Sequence, residues 1–157
     1  MNNILLYFAN KDCNKIHIIN NYYDIDSYIT KNNICIDDEL MFRLKIWFKE
    51  YNNLWGSTCG QFCHYIHSGI YKSMKDEINM QADNIQYSDL YKLPINSILC
   101  IYDNDNDNDI EDYHVFIKLD KDLYISKIGN LTVCITNFIT LLDLYQLNNL
   151  CHVTLIS

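Results

Sequence analysis

The chain has 157 residues, which is enough for one compact domain and too few for two. Apolar residues make up 49% of it, which excludes a disordered chain. The formal net charge is −8 and Arg43 is the single arginine, so neither nucleic acid nor an anionic membrane is an expected partner, because both bind cationic surfaces.

Two short strands are predicted near the start of the chain, at 4–8 and 15–19, around a turn at 10–14. Residues 22–36 are less regular, and their tyrosines and isoleucines are consistent with an extended pair. The abundance of Asn, Tyr and Lys reflects a bias toward AT-rich codons, so none of these residues is by itself a functional signal. Acidic residues followed by apolar residues at helical spacing predict a helix over 39–51.

A second helix is predicted from Cys59 to about Tyr71, with Ser57 or Thr58 as its N-cap. Residues 72–88 are polar and weakly periodic, which predicts a loop with one helical turn.

The second half of the chain is rich in β-forming residues. Strands are predicted at 95–102, 113–119, 123–128, 131–136 and 152–156, with a helix at 138–147. Polar turns separate these segments, and those at 120–122 and 129–130 are typical of hairpins. The order predicts one α+β domain spanning residues 1–157, with helices packed on an antiparallel meander.

Cys59 is the most informative single residue. A thiol at the start of a helix lies near the positive end of the helix dipole and near free N–H groups, which favour the thiolate. A nucleophilic cysteine also needs a base. His114 begins a predicted strand after a polar segment, and a histidine at the end of a sheet can face a helix N-terminus across a cleft.

Three stretches resemble the papain-like NlpC-type proteins, in which a cysteine starts a helix that packs on an antiparallel sheet. The sequence WGSTCGQF at 55–62 is similar to their nucleophile turn, and HVFIKL, beginning at His114, is similar to their histidine strand. Residues 93–102 resemble the strand that the family enters through a Gly-Asp pair, with Asn96 and Ser97 in place of that pair. The resemblance covers about residues 50–130.

The resemblance implies acyl transfer on an amide, ester or thioester. Cys59 would attack the carbonyl, and His114 would take the thiol proton and return it to the leaving group. The third polar residue of the family falls near Ser126, with Lys127 or Asn130 as alternatives that depend on strand register. Asn53 lies where papain-like enzymes often place an amide that helps to bind the oxyanion, although the composition favours its interpretation as a helix-ending Asn in an Asn-rich chain.

Two other functions stay open. The same fold could be catalytically inert and bind a protein or peptide in the cleft. Alternatively, Cys59, Cys63, His64 and His67 cluster within nine residues and suggest a small metal-binding module, although no second pair of ligands follows at close spacing. The acidic segment 103–112 lacks the final glutamate and the flanking helices of a calcium loop, so a solvated surface loop is expected there.

Seven cysteines, no recognisable secretory signal and no apolar run near 20 residues predict a cytoplasmic protein with free thiols and no integral membrane segment. No cofactor is expected. The sequence leaves the peptide, protein or lipid substrate and the oligomeric state open.

Overall fold

A computed structural model of the protein describes residues 16–51, 58–104, 110–128 and 132–155. The strands in this part of the chain are β1 (Ile16–Ile19), β2 (Ala82–Asn84), β3 (Ile98–Asn104), β4 (Ile110–Asp120), β5 (Leu123–Ile128), β6 (Thr132–Thr136) and β7 (Asn149–Val153). The helices are α1 (Tyr22–Lys31), α2 (Asp38–Ile46), α3 (Cys59–Ser68), α4 (Lys75–Gln81) and α5 (Phe138–Tyr145). A π-helical turn, Trp47–Tyr51, extends α2, and a 3-10 helix covers Tyr87–Lys92.

The described strands form one antiparallel sheet in the order β1-β6-β5-β4-β3-β7-β2. This confirms the predicted α+β class. The predicted turn at 120–122 joins β4 to β5 as an antiparallel pair. Among the described strands, β1 and β2 form the two edges of the sheet. The predicted strand at 4–8 and the turns at 10–14 and 129–130 lie outside the described residues.

Residues 22–36 begin with a helix, and the extended pair predicted there is wrong. Asn21 is the N-cap of α1, and its side-chain oxygen accepts the Asp24 N–H at 3.0 Å. Ile25 is fully buried on the inner side of the helix. The local signals for this helix are only a capping Asn and one buried apolar residue. The helix forms because it packs on the rest of the protein.

The helices predicted over 39–51 and from Cys59 onward are both confirmed. α3 begins with a capping box in which Thr58 Oγ1 accepts the Gln61 N–H at 3.4 Å and Gln61 Oε1 accepts the Thr58 N–H at 2.9 Å. It ends at Ser68, short of the predicted Tyr71, because Gly69 adopts the left-handed conformation with φ 78°.

The segment 72–88 is more ordered than predicted. It holds α4, β2 and the start of the 3-10 helix. Met74 and Ile78 are buried one turn apart, and Glu77 beside them has no exposed surface. The inward-facing Glu77 weakens the apolar periodicity, which is why the sequence pattern does not reveal the helix.

The two faces of the sheet carry separate apolar clusters. Along β4, Val115 and Ile117 belong to the larger cluster, which also contains Cys59 and other residues of α3. Phe116 belongs to a second cluster with Phe138 and Leu141 of α5. Because side chains of a strand alternate between faces, α3 covers one side of the sheet and α5 covers the other.

Candidate functional site

Cys59 is the first residue of α3, and its side chain is 7% exposed. The N–H groups of the first helical turn have no partner within the helix. The capping box uses the Gln61 N–H. The N–H groups of Cys59 and Gly60 remain, and their closeness to the Cys59 thiol lowers its pKa.

The first turn of α3 packs on the sheet where β4 and β5 separate. In the described part of these strands, ladder pairing runs from Asp120–Leu123 to Ile117–Ile125 and stops there. The main chain of Val115 is therefore free to bond to α3. Its carbonyl accepts a hydrogen bond from Cys63 Sγ at 3.4 Å, and its main chain lies near enough to the Cys59 thiol to lower the pKa of that thiol.

Burial and hydrogen bonding have opposite effects on the Cys59 thiol. Burial raises its pKa, whereas the N–H groups of Val115, Gly60 and Cys59 itself and the ammonium of Lys127 lower it. Burial is the largest contribution, and the pKa stays above its ordinary value. The resting site therefore holds a protonated thiol, already surrounded by groups that would stabilise the thiolate.

His114 lies on the opposite face of the sheet from α3. Its imidazole stacks on the Tyr145 ring of α5, with centroids 3.9 Å apart, and Nε2 is 3.0 Å from Ser126 Oγ. Burial lowers the pKa of His114 to about 3, so the ring is neutral.

The structure brings two of the predicted site residues together and separates a third. His114 and Ser126 are hydrogen-bonded, in the arrangement that the resemblance implies for the histidine and its polar partner. Among the described residues, no hydrogen bond joins Cys59 to His114, because adjacent residues of β4 point to opposite faces and Val115 is the one that faces α3. Asn53 lies outside the described residues. The shared role of these residues in catalysis stays a prediction.

Lys127 lies on the α3 face of the sheet, whereas the sequence suggested it only as an alternative to Ser126 for the third polar residue. It is 1% exposed, and its neighbour Ser126 faces His114 on the other side of the sheet. Period-2 alternation in 123–128 already implies that Ser126 and Lys127 face opposite sides. The local sequence could not reveal which of the two sides α3 covers.

The histidines proposed as metal ligands do not converge with Cys59. His64 Nε2 is 3.3 Å from Glu77 Oε1, and His67 lies at the other end of α3, where its carbonyl accepts from Arg43. In the described ranges, no three His, Cys, Asp or Glu side chains are grouped as a metal ion requires. The metal-binding alternative therefore has no structural support there.

A buried ionic group joins α3 to α4. Glu77 is fully buried, and its Oε1 is 2.9 Å from Lys72 Nζ and 3.3 Å from His64 Nε2. Burial raises the pKa of Glu77, but the Lys72 ammonium, a main-chain N–H and His64 together lower it below its ordinary value. These contacts hold α4 against α3 and make the group a structural one.

Comparison with known proteins gives no match to a family model, to a curated protein or to a solved structure. The resemblance to papain-like NlpC-type proteins therefore depends on the sequence stretches around Cys59 and His114. Among the helices of the described residues, none is both long enough and apolar enough to cross a membrane.

Proposed function

We propose that this chain is a thiol-dependent hydrolase or acyltransferase in which Cys59 is the nucleophile. The observation that carries the proposal is the position of Cys59 as the first residue of α3, where the capping box leaves the N–H groups of Cys59 and Gly60 without a partner in the helix. Such a concentration of donors stabilises negative charge, which is what a cysteine nucleophile and its reaction intermediate both need.

The reaction follows from this arrangement. The thiolate attacks the substrate carbonyl carbon, a C–S bond forms, and the carbonyl oxygen becomes an oxyanion that accepts a hydrogen bond from the Cys59 N–H. Collapse of this intermediate breaks the bond to the amine, alcohol or thiol, which leaves with a proton. Water or an acceptor nucleophile then cleaves the thioester and restores the thiol.

The test is formation of a covalent acyl-enzyme. Incubation with p-nitrophenyl acetate should release p-nitrophenolate and leave an acetyl group on Cys59, located by peptide mapping. Cys59→Ser should remove both signals. Cys35 is an exposed free thiol, so Cys35→Ser is the matched control and should retain them. Acetylation of Cys35 ahead of Cys59 would contradict the proposal.

A second function, binding of a protein or peptide without catalysis, is favoured by one observation. Burial raises the pKa of Cys59 and lowers that of His114 to about 3, so both groups are uncharged at rest. An imidazole with so low a pKa is a weak proton acceptor. A chain that forms no acyl-enzyme, and whose Cys59 alkylates no faster than the buried Cys134, would be the inert binding module.

A further inference from the structure

The buried Lys127 is in the correct place to interact with Cys59. Leu123 and Ile125 of β5 pack in the cluster that contains Cys59, and alternation puts Lys127 on that same face. Ile117 with Ile125 is the last pair of the ladder, and Val115 and Lys127 follow two residues beyond it on their own strands, on the side of the sheet that faces α3.

The main chain of Val115 shows where α3 lies on the sheet. It bonds to Cys63, one turn beyond Cys59 in α3, at 3.4 Å. The first turn of α3 therefore lies over the point where β4 and β5 separate, and Lys127 enters the same layer from β5.

The charge of Lys127 has no carboxylate to balance it among the described ion pairs. Burying an ammonium without a counter-charge is costly. Burial lowers the pKa of Lys127 and the nearby Cys59 raises it, so the thiol is the acidic group to which this lysine responds.

Lys118 is a second buried lysine, and its surroundings differ from those of Lys127. Its Nζ donates to the carbonyl oxygens of Leu90 at 2.6 Å and of Leu93 at 2.9 Å, which ties the 3-10 helix to β4. Those hydrogen bonds explain Lys118 as a structural residue.

We propose that Lys127, and not His114, is the charge partner of the Cys59 thiolate. The thiol loses its proton to water, so that the S–H bond breaks and the proton passes to solvent, and the ammonium of Lys127 stabilises the thiolate that remains. A proton from solvent later reaches the leaving group. This step rests on the proposed function for the identity of the nucleophile, but the ion pair itself is measurable without any substrate.

The experiment is the pH dependence of iodoacetamide labelling at Cys59, followed by peptide mapping with the exposed Cys35 as internal standard. Lys127→Met should slow Cys59 labelling at neutral pH about tenfold and move the midpoint of the profile upward, because an opposite charge is lost. Lys127→Gln should behave like Lys127→Met. Lys127→Arg keeps the charge and should restore most of the rate. Labelling of Cys35 should be the same in every variant.

Two outcomes overturn the inference in distinguishable ways. If both neutral variants label Cys59 with the wild-type profile while wild type still forms the acyl-enzyme, Lys127 is not the partner and the proposed function stands. If wild-type Cys59 neither labels nor acylates across the pH range, the proposed function and the ion pair both fail. A thermal melt of each variant confirms that the compared proteins are folded.

Discussion

The two faces of the sheet hold their buried basic residues differently. On the α5 face, His114 is hydrogen-bonded to Ser126 and stacked on Tyr145, and Lys118 is bonded to two carbonyls. On the α3 face, the Cys59 thiol lies at the N-terminus of the helix, and Lys127 has no carboxylate partner among the described ion pairs. Satisfied polar groups stabilise a fold, whereas an incompletely compensated charge is typical of a functional site.

The two residues of the expected Cys–His pair lie on opposite faces of the sheet. The histidine strand and the cysteine helix are adjacent, but the sheet lies between the imidazole and α3. If the α3 face is the reactive one, substitutions there should change thiol chemistry, and substitutions on the α5 face should change stability alone.

The largest expected effect on stability is at the ionic group between α3 and α4. Glu77→Ala removes a fully buried side chain together with its contacts to Lys72 and His64, and the lost contacts and the cavity left behind should lower the free energy of unfolding by about 3 kcal/mol. Urea unfolding at neutral pH measures it. The matched control is Glu39→Ala, since Glu39 pairs with Arg43 at the surface and should contribute less than about 0.5 kcal/mol. Equal losses would show that the Glu77 group is not the stronger one.

Lys118→Met tests the α5 face. Its two hydrogen bonds to Leu90 and Leu93 are charge-assisted, and their loss should cost about 2 kcal/mol of unfolding free energy. Labelling of Cys59 should be unchanged. Chemical denaturation and the alkylation assay check the two halves of this prediction. A slower Cys59 reaction in Lys118→Met would remove the distinction between the faces.

His114→Phe sharpens the comparison further. The aromatic ring can still stack on Tyr145, while the hydrogen bond to Ser126 is lost, so unfolding free energy should fall by about 1 kcal/mol. The pH profile of Cys59 labelling should stay that of wild type. An upward shift of that profile would instead make His114 the partner of the thiolate.

The smallest expected effect is on the pH dependence of stability. The pKa of Glu77 is lowered in the folded protein, so its carboxylate contributes stability above the unfolded value of about 4.3, and this is lost as pH falls through the folded pKa. The stability difference between wild type and Glu77→Gln should therefore be largest near neutral pH and shrink below pH ~4. Urea midpoints across this range measure it. A constant difference would mean that Glu77 acts through packing rather than charge.

The sequence predicts elements whose signals are local. The Thr58 cap and the apolar spacing after it place Cys59 at a helix start, and the hairpin turn at 120–122 brings Ser126 alongside His114. Helix α1 was missed because its cap is an Asn in an Asn-rich chain, although Asn21 does accept the Asp24 N–H.

The face of the sheet on which a residue lies depends on more than the local sequence. Alternation within β4 separates His114 from Val115, but the side that α3 covers depends on packing between distant segments. The role suggested for Lys127 likewise depends on the end of the β4–β5 ladder at Ile117–Ile125, which no local pattern encodes.

The edges of the sheet have a consequence for folding kinetics. The central strands β3 to β6 join neighbours along the chain, whereas β1 pairs with β6, and residues 16–19 meet residues 133–136 from the far end of the sequence. Closing so long a loop is slow and is rewarded only once the partner strand exists. The hairpins should therefore form first and β1 should dock last. In native-state hydrogen exchange, the amides of this four-residue edge strand should open well before those of β4 and β5.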